Sequence, residues 1–125
     1  MTTETLASIK LPWPSPKLFP NFKRANHWRK YRTAEKSARE DGCIIGCTIP
    51  HAKRTQIVSG GQIRLRITFT PPDRRKRDDD GMIGAFKNWR DGIADAFKCD
   101  DSRFRCEYHI DEPKAPGGVL VEVLG

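Results

Sequence analysis

The chain has 125 residues, enough for one domain with a modest core, and it sets 23 lysines and arginines against 16 acids for a formal charge of +7. That surplus favours a polyanionic partner, and no apolar run approaches the length of a membrane-spanning helix. The N-terminus carries neither the charged nor the apolar region of a signal peptide, so the sequence predicts a soluble, cytoplasmic, single domain over 1–125 with no membrane partner.

In chain order, residues 5–12, TLASIKLP, predict a first strand, halted by Pro12, Pro14, Pro16 and Pro20, which cannot donate to a ladder. A long basic loop follows with Lys17, Asn21, Lys23, Arg24, Asn26 and His27, and Lys, Arg and Asn supply most hydrogen bonds to a DNA backbone. From about 28 to 45, Trp28, Tyr31, Ala34 and Ala38 recur at helical spacing. They predict a first helix packed on the sheet, with Trp28 in the core or at its edge; the other use of such an aromatic is to stack on an unpaired base. Gly46, Pro50 and the polar run through Lys53 and Arg54 read as a connector. Of the four cysteines, only Cys43 and Cys47 approach a C-x₂₋₄-C unit, so all four are expected to be reduced and partly buried.

Residues 61–70, GQIRLRITFT, alternate Ile63, Leu65, Ile67 and Phe69 with Arg64, Arg66, Thr68 and Thr70, the pattern of a half-exposed strand. Pro71-Pro72 ends it, and four cations, Arg74, Arg75, Lys76 and Arg77, run into three acids, Asp78, Asp79 and Asp80. A second helix then buries Met82, Ile83, Phe86, Ile93 and Phe97. At 100° per residue, Asp80, Gly84, Lys87 and Asp91 fall within about 60° of one another on a strip beside that apolar face. Gly84, being small, is expected to leave room for a longer side chain on this strip. After Asp100-Asp101, the alternating Phe104, Cys106, Tyr108 and Ile110 predict a strand, and Val119 to Leu124 a last one. The whole predicts an α+β fold, a small mixed β-sheet with two principal helices.

The acidic runs carry the chemistry. Two carboxylates 4–5 Å apart repel by about 3–4 kcal/mol at an effective dielectric near 20, so such a cluster calls for a proton or a cation. Mg²⁺ is the usual partner of an all-oxygen shell that also holds phosphate, and the neighbouring arginines then face an anion. The competing use of the three acids is a helix N-cap beside a solvated basic loop. His27, His51 and His109 form no triad or metal spacing, and no Gly-rich phosphate loop appears, so no nucleotide cofactor is expected.

Arg77-Asp78-Asp79-Asp80, a lysine on the following helix and a later Asp100-Asp101-Ser102 resemble the signature of RusA-type Holliday junction resolvases, crossover junction endodeoxyribonucleases common in bacteriophages. LPWPSPKLFPNFKRANHW resembles the opening strand, Pro-rich turn and basic segment of that family, so the likeness covers most of the chain. Two departures stand out: Gly81 replaces the usual Asn, and Lys87 sits one helical turn late.

The resemblance implies a RusA-like fold and a homodimer that resolves four-way DNA junctions by paired symmetric nicks. It implies Asp78, Asp80 and Asp101 as ligands of one or two Mg²⁺ per subunit, with Mn²⁺ able to substitute, and Lys87 as the balancing catalytic cation. Asp100 and Asp91 are further candidate acids. Lys23, Arg24, Asn26, His27, Arg74, Arg75, Lys76 and Arg77 are the expected DNA contacts, and the site of action is a bacterial host cytoplasm if the protein is phage-encoded. Two alternatives remain open: a metal-dependent nuclease for other branched DNA or RNA, and a non-catalytic basic DNA-binding protein.

Overall fold

Strand β2 (Ile63–Thr70) occupies the middle of the molecule because its alternation is complete: Ile63, Leu65, Ile67 and Phe69 are each at most 2% exposed. The computed structural model describes residues 4–77 and 79–125. Strand β2 pairs antiparallel with β4 (Gly118–Leu124) and parallel with β3 (Phe104–Ile110), while β1 (Thr5–Leu11) adds antiparallel to the far side of β4. The order β1-β4-β2-β3 makes the sheet mixed and the fold α+β, as the strand and helix periodicities predict. On the polar face the register sets Arg66 opposite Glu122, and the two form a bidentate pair at 3.0 and 3.1 Å.

A parallel pair needs a crossover, and α4 (Asp79–Phe97) supplies it, laying Met82, Ala85, Phe86, Trp89, Ile93, Ala96 and Phe97 into the core. Phe86 meets Phe69 and Tyr108 edge-on, with ring centroids 6.3 and 6.5 Å apart. The topology has a consequence for function. Because β2 and β3 point the same way, α4 runs back between them, so the acids that start it and the acids that follow it stand at opposite ends of the sheet.

Helix α2 (Arg32–Gly46) packs on α4 at backbone distance. A Cβ on Gly92 would fall 2.1 Å from the Arg39 carbonyl oxygen, and one on Gly42 would fall 2.6 Å from that of Trp89. No larger residue fits this crossing, and the closeness sets α2 side chains directly over the last turns of α4.

Four local expectations are corrected. The predicted connector after Pro50 is a helix, α3 (His51–Ser59). Its polar run hides it from periodicity, and what holds it is tertiary: Ile57 is buried, and Arg54 donates to the carbonyls of Ile49 at 2.9 Å and Ala96 at 2.8 Å, capping the end of α4. The first long helix begins at Arg32 rather than near 28, leaving Trp28 in a 3₁₀ turn, Trp28–Lys30, 45% exposed and outside the core cluster rather than packed in the core or at its edge. The long basic loop contains a short helix, α1 (Pro20–Ala25), started by a proline at its first position. Cys47 is exposed, whereas Cys43, Cys99 and Cys106 are partly buried free thiols as expected. Among the described residues no helix is long and apolar enough to cross a membrane.

Candidate nucleic-acid and metal site along helix α4

The start of α4 borders a groove of about 380 Å³ lined by Phe19, Pro20, Asn21, Arg24, Lys76, Arg77, Asp80 and Gly81. Its cations come from two elements: Arg24 projects from α1, where its guanidinium is held by the Asn21 amide oxygen, and Lys76 comes from the loop after β2. Asp79 and Asp80 occupy the first turn of α4, where the helix dipole favours negative charge. Arg77 has a scaffolding task. It donates to Asp73 Oδ1 at 2.8 Å and to the carbonyls of Asp73 and Arg75 at 3.0 Å each, and its guanidinium lies 5.3 Å from the Trp13 ring centroid. Hydrogen bonds from the Arg75 backbone and Arg77 hold the Asp73 carboxyl below the usual carboxylate range. Arg74, Arg75 and Lys76 remain exposed around this braced loop.

The other end of α4 borders a groove of about 290 Å³ lined by Arg39, Asp91, Ala94, Asp95, Cys99, Asp100 and Asp101. Arg39 of α2 forks onto Asp95 at 2.8 and 3.0 Å, which holds that carboxyl low. Arg90 Nη2 donates to Asp101 Oδ2 at 3.0 Å. Asp100 accepts from the Ser102 backbone N–H at 2.8 Å and so caps the 3₁₀ turn Asp101–Arg103, which lowers its own pKa. Asp91 has the opposite environment. Burial pushes its carboxyl above the ordinary range, and the charge and hydrogen bonding of Asp101 push it further, against weaker opposition from Arg39 and Lys87.

The structure therefore divides the expected site residues. Asp91 and Asp101 come together, with Lys87 exposed one turn before Asp91 on the same strip. Asp80 does not join them within one chain: eleven residues of helix at 1.5 Å rise put its Cα about 16 Å from that of Asp91. Ligands of a single Mg²⁺ at 2.0–2.1 Å would need to lie within about 4 Å of each other, so a site made of Asp80 and Asp101 from the same chain is corrected by the crossover geometry. Asp78 lies outside the described residues. Among the expected DNA contacts, Lys23 pairs with Glu35 at 2.5 Å, the Asn26 amide donates to the Phe22 carbonyl at 2.9 Å, and His27 Nδ1 accepts from the Arg29 backbone at 3.2 Å. Gly84 has no spare room, since a Cβ there would fall 2.7 Å from Pro20 Cγ.

Arg39 and Asp95 line this second groove, Arg90 braces its Asp101, and none of the three carries a motif of its own in the sequence. The signals available were the four-residue step from Asp91 to Asp95 and the glycine pair Gly42 and Gly92 that lets α2 approach. Among the described residues no three His, Cys, Asp or Glu side chains converge on one point to hold a metal ion. Asp91 and Asp101 do line one groove and interact with each other, and two carboxylates are the number through which Mg²⁺ could be held with water and phosphate oxygens filling the rest of its shell.

No family model matches the chain. A protein of Xylella fastidiosa described as uncharacterized is 38% identical over 121 residues, spanning 96% of this chain and 77% of that protein.

Proposed function

The chain belongs to one family with that Xylella fastidiosa protein, and we propose that it is a Mg²⁺-dependent endonuclease for branched DNA, with the four-way junction as its main substrate. The observation that carries this is the crowded Asp91–Asp101 pair on a strongly basic chain, at one end of a helix whose other end sits in a cationic groove. A purely architectural DNA-binding protein gains nothing from carboxylates beside phosphates, which repel them. A metal nuclease requires them.

In this reading Arg24, Arg74, Arg75 and Lys76 hold the DNA backbone, while Asp91 and Asp101 hold Mg²⁺ or Mn²⁺. When bound, the ion supplies Lewis acidity to the scissile phosphate. Lys87 offsets the acids before DNA arrives and then the phosphate charge. Arg90 fixes the Asp101 carboxylate, and Asp100 caps the turn that presents it.

A homodimer completes the site. If two copies lay their α4 helices antiparallel about a two-fold axis, the first turn of one α4, with Asp80, would stand beside Asp91 and Asp101 of the other copy, giving two equivalent sites for opposed strands. The test uses a synthetic four-way junction, a flap and a linear duplex, each with Mg²⁺ or with EDTA. The expected result is Mg²⁺-dependent paired cutting of the junction, with Asp80→Asn and Asp101→Asn homodimers inactive. Mixed dimers of these two variants hold one intact shared site and should nick one strand, whereas sites built within single chains would leave them dead. Absence of cutting of all three substrates by the folded wild type in Mg²⁺ would overturn the nuclease reading.

A further inference from the structure

We infer that Trp28 is a stacking platform for an unpaired nucleobase, set beside cations that take the adjoining phosphates; the inference rests on the proposed action on nucleic acid and adds to it a recognition element separate from the acids. Trp28 is 45% exposed on a 3₁₀ turn, although nearly every other large aromatic or aliphatic side chain is covered. Its surroundings are one-sidedly cationic. The guanidinium carbons of Arg32 and Arg29 lie 5.2 and 5.6 Å from its ring centroid, and the His27 ring is 5.5 Å away at a 34° tilt. Lys30 is exposed on the same turn, and the chain contains no acid between Glu4 and Glu35.

The backbone holds this arrangement in place. His27 caps the turn by accepting from the Arg29 N–H, and the Tyr31 N–H closes it onto the Trp28 carbonyl at 3.2 Å. Trp28 lies four residues after Arg24, which lines the basic groove at the start of α4. The indole takes no part in the hydrophobic core, and its partners are the Arg29 and Arg32 guanidiniums over its ring and the His27 ring beside it. Amid arginines, and with no carboxylate nearby in sequence, it matches a π-face flanked by phosphates, the chemistry of single-stranded nucleic acid. An acidic peptide would satisfy the charge but leave the indole without a planar partner. Paired bases within a duplex hide their faces, so the element discriminates unpaired positions such as those at a branch point.

The test is made in EDTA, so that cutting plays no part, by titrating the full chain with a twelve-nucleotide oligo(dT), an abasic strand of the same length, a blunt duplex and a four-way junction. Intrinsic fluorescence reports the contact, because Trp89 is 3% exposed and only Trp13 and Trp28 remain accessible to a ligand. The expected result is quenching by oligo(dT) that Trp28→Phe abolishes while keeping most of the affinity. Trp28→Ala should bind oligo(dT) and the junction about ten-fold more weakly, with duplex affinity unchanged. The wild type should prefer oligo(dT) to the abasic strand, and Trp28→Ala should not. Equal binding of both strands by the wild type, or full oligo(dT) affinity in Trp28→Ala, would overturn the proposal. So would a change of sedimentation state in Trp28→Ala without a change in DNA binding, which would assign the patch to subunit contact. Stacking without junction cutting in Mg²⁺ would sink only the nuclease reading, and cutting without stacking only this one.

Discussion

The two ends of α4 are both charged, but their charge is assembled differently. At the start of the helix it comes mainly from neighbours in sequence: cations 74–77 run straight into the acids, and Arg77 folds back on Asp73 four residues earlier. At the far end it comes from distance, with Arg39 reaching Asp95 across 56 residues and Arg90 reaching Asp101 across 11. The first end presents solvated cations that can exchange water for phosphate at little cost. The second presents matched pairs around one carboxyl, Asp91, that is held uncomfortably, and discomfort of that kind is a signature of function more than of stability.

The largest effect expected is on chemistry. On the proposed reading, Asp101→Asn and Asp91→Asn should each lower single-turnover junction cutting by at least about 100-fold while leaving binding in EDTA intact or tighter, since each would remove a proposed metal ligand and a charge that opposes phosphate. Mg²⁺ should raise the melting temperature of the wild type and not that of either variant. Cutting at the wild-type rate by a folded variant would remove that acid from the site.

Next comes the crossing that assembles the far end. Gly92→Ala drives a Cβ to 2.1 Å from the Arg39 carbonyl oxygen. It should cost at least about 3 kcal/mol in chemical denaturation despite the gain in helix propensity. Denaturation at the wild-type midpoint would show that α2 and α4 can separate freely.

Lys87→Ala should lose about ten-fold in single-turnover cutting at saturating enzyme. Adding Gly84→Lys should fail to restore it, because Pro20 occupies the space beside position 84. Recovery in the double variant would mean that α1 yields easily and that the two positions are equivalent. The near end offers a gentler test. Replacing Arg74 and Lys76 with Ala should reduce the slope of log K against log salt by up to about 0.9 per lost contact for every DNA shape. Arg77→Ala should instead lower thermal stability, since its guanidinium braces the loop.

The smallest effect expected is a pH signature. Asp91 has a raised pKa in the fold, so the native state holds its proton at a pH where the unfolded chain has released it. Its stabilising contribution is complete below the ordinary carboxylate pKa and is lost as pH rises through the folded value. Asp91→Asn should therefore melt higher than the wild type at pH 7, by up to about 4 °C given its partial exposure, and level with it near pH 3. A variant that melts lower at pH 7 would reverse the assigned direction.

The sequence by itself determined the sheet-forming strands, the apolar face of α4 and the acid and lysine strip beside it. Those are properties of local period: alternation in Ile63–Thr70 and recurrence at helical spacing in Met82, Phe86, Ile93 and Phe97 can be read without knowing what they touch. Tertiary structure decided the rest. Helix α3 is polar and short, and it depends on Arg54 capping α4, a contact no local pattern encodes. Trp28 shares helical spacing with Tyr31 but lies before the helix begins, so period alone set it on the wrong side of the surface. The parallel pairing of β2 and β3 decided that the acids flanking α4 stand a helix length apart, because a parallel neighbour must be entered from the end opposite to the one just left. The glycine contacts between α2 and α4 decided that Arg39 meets Asp95 beside Asp91, since only backbones that close can bring those side chains into one groove.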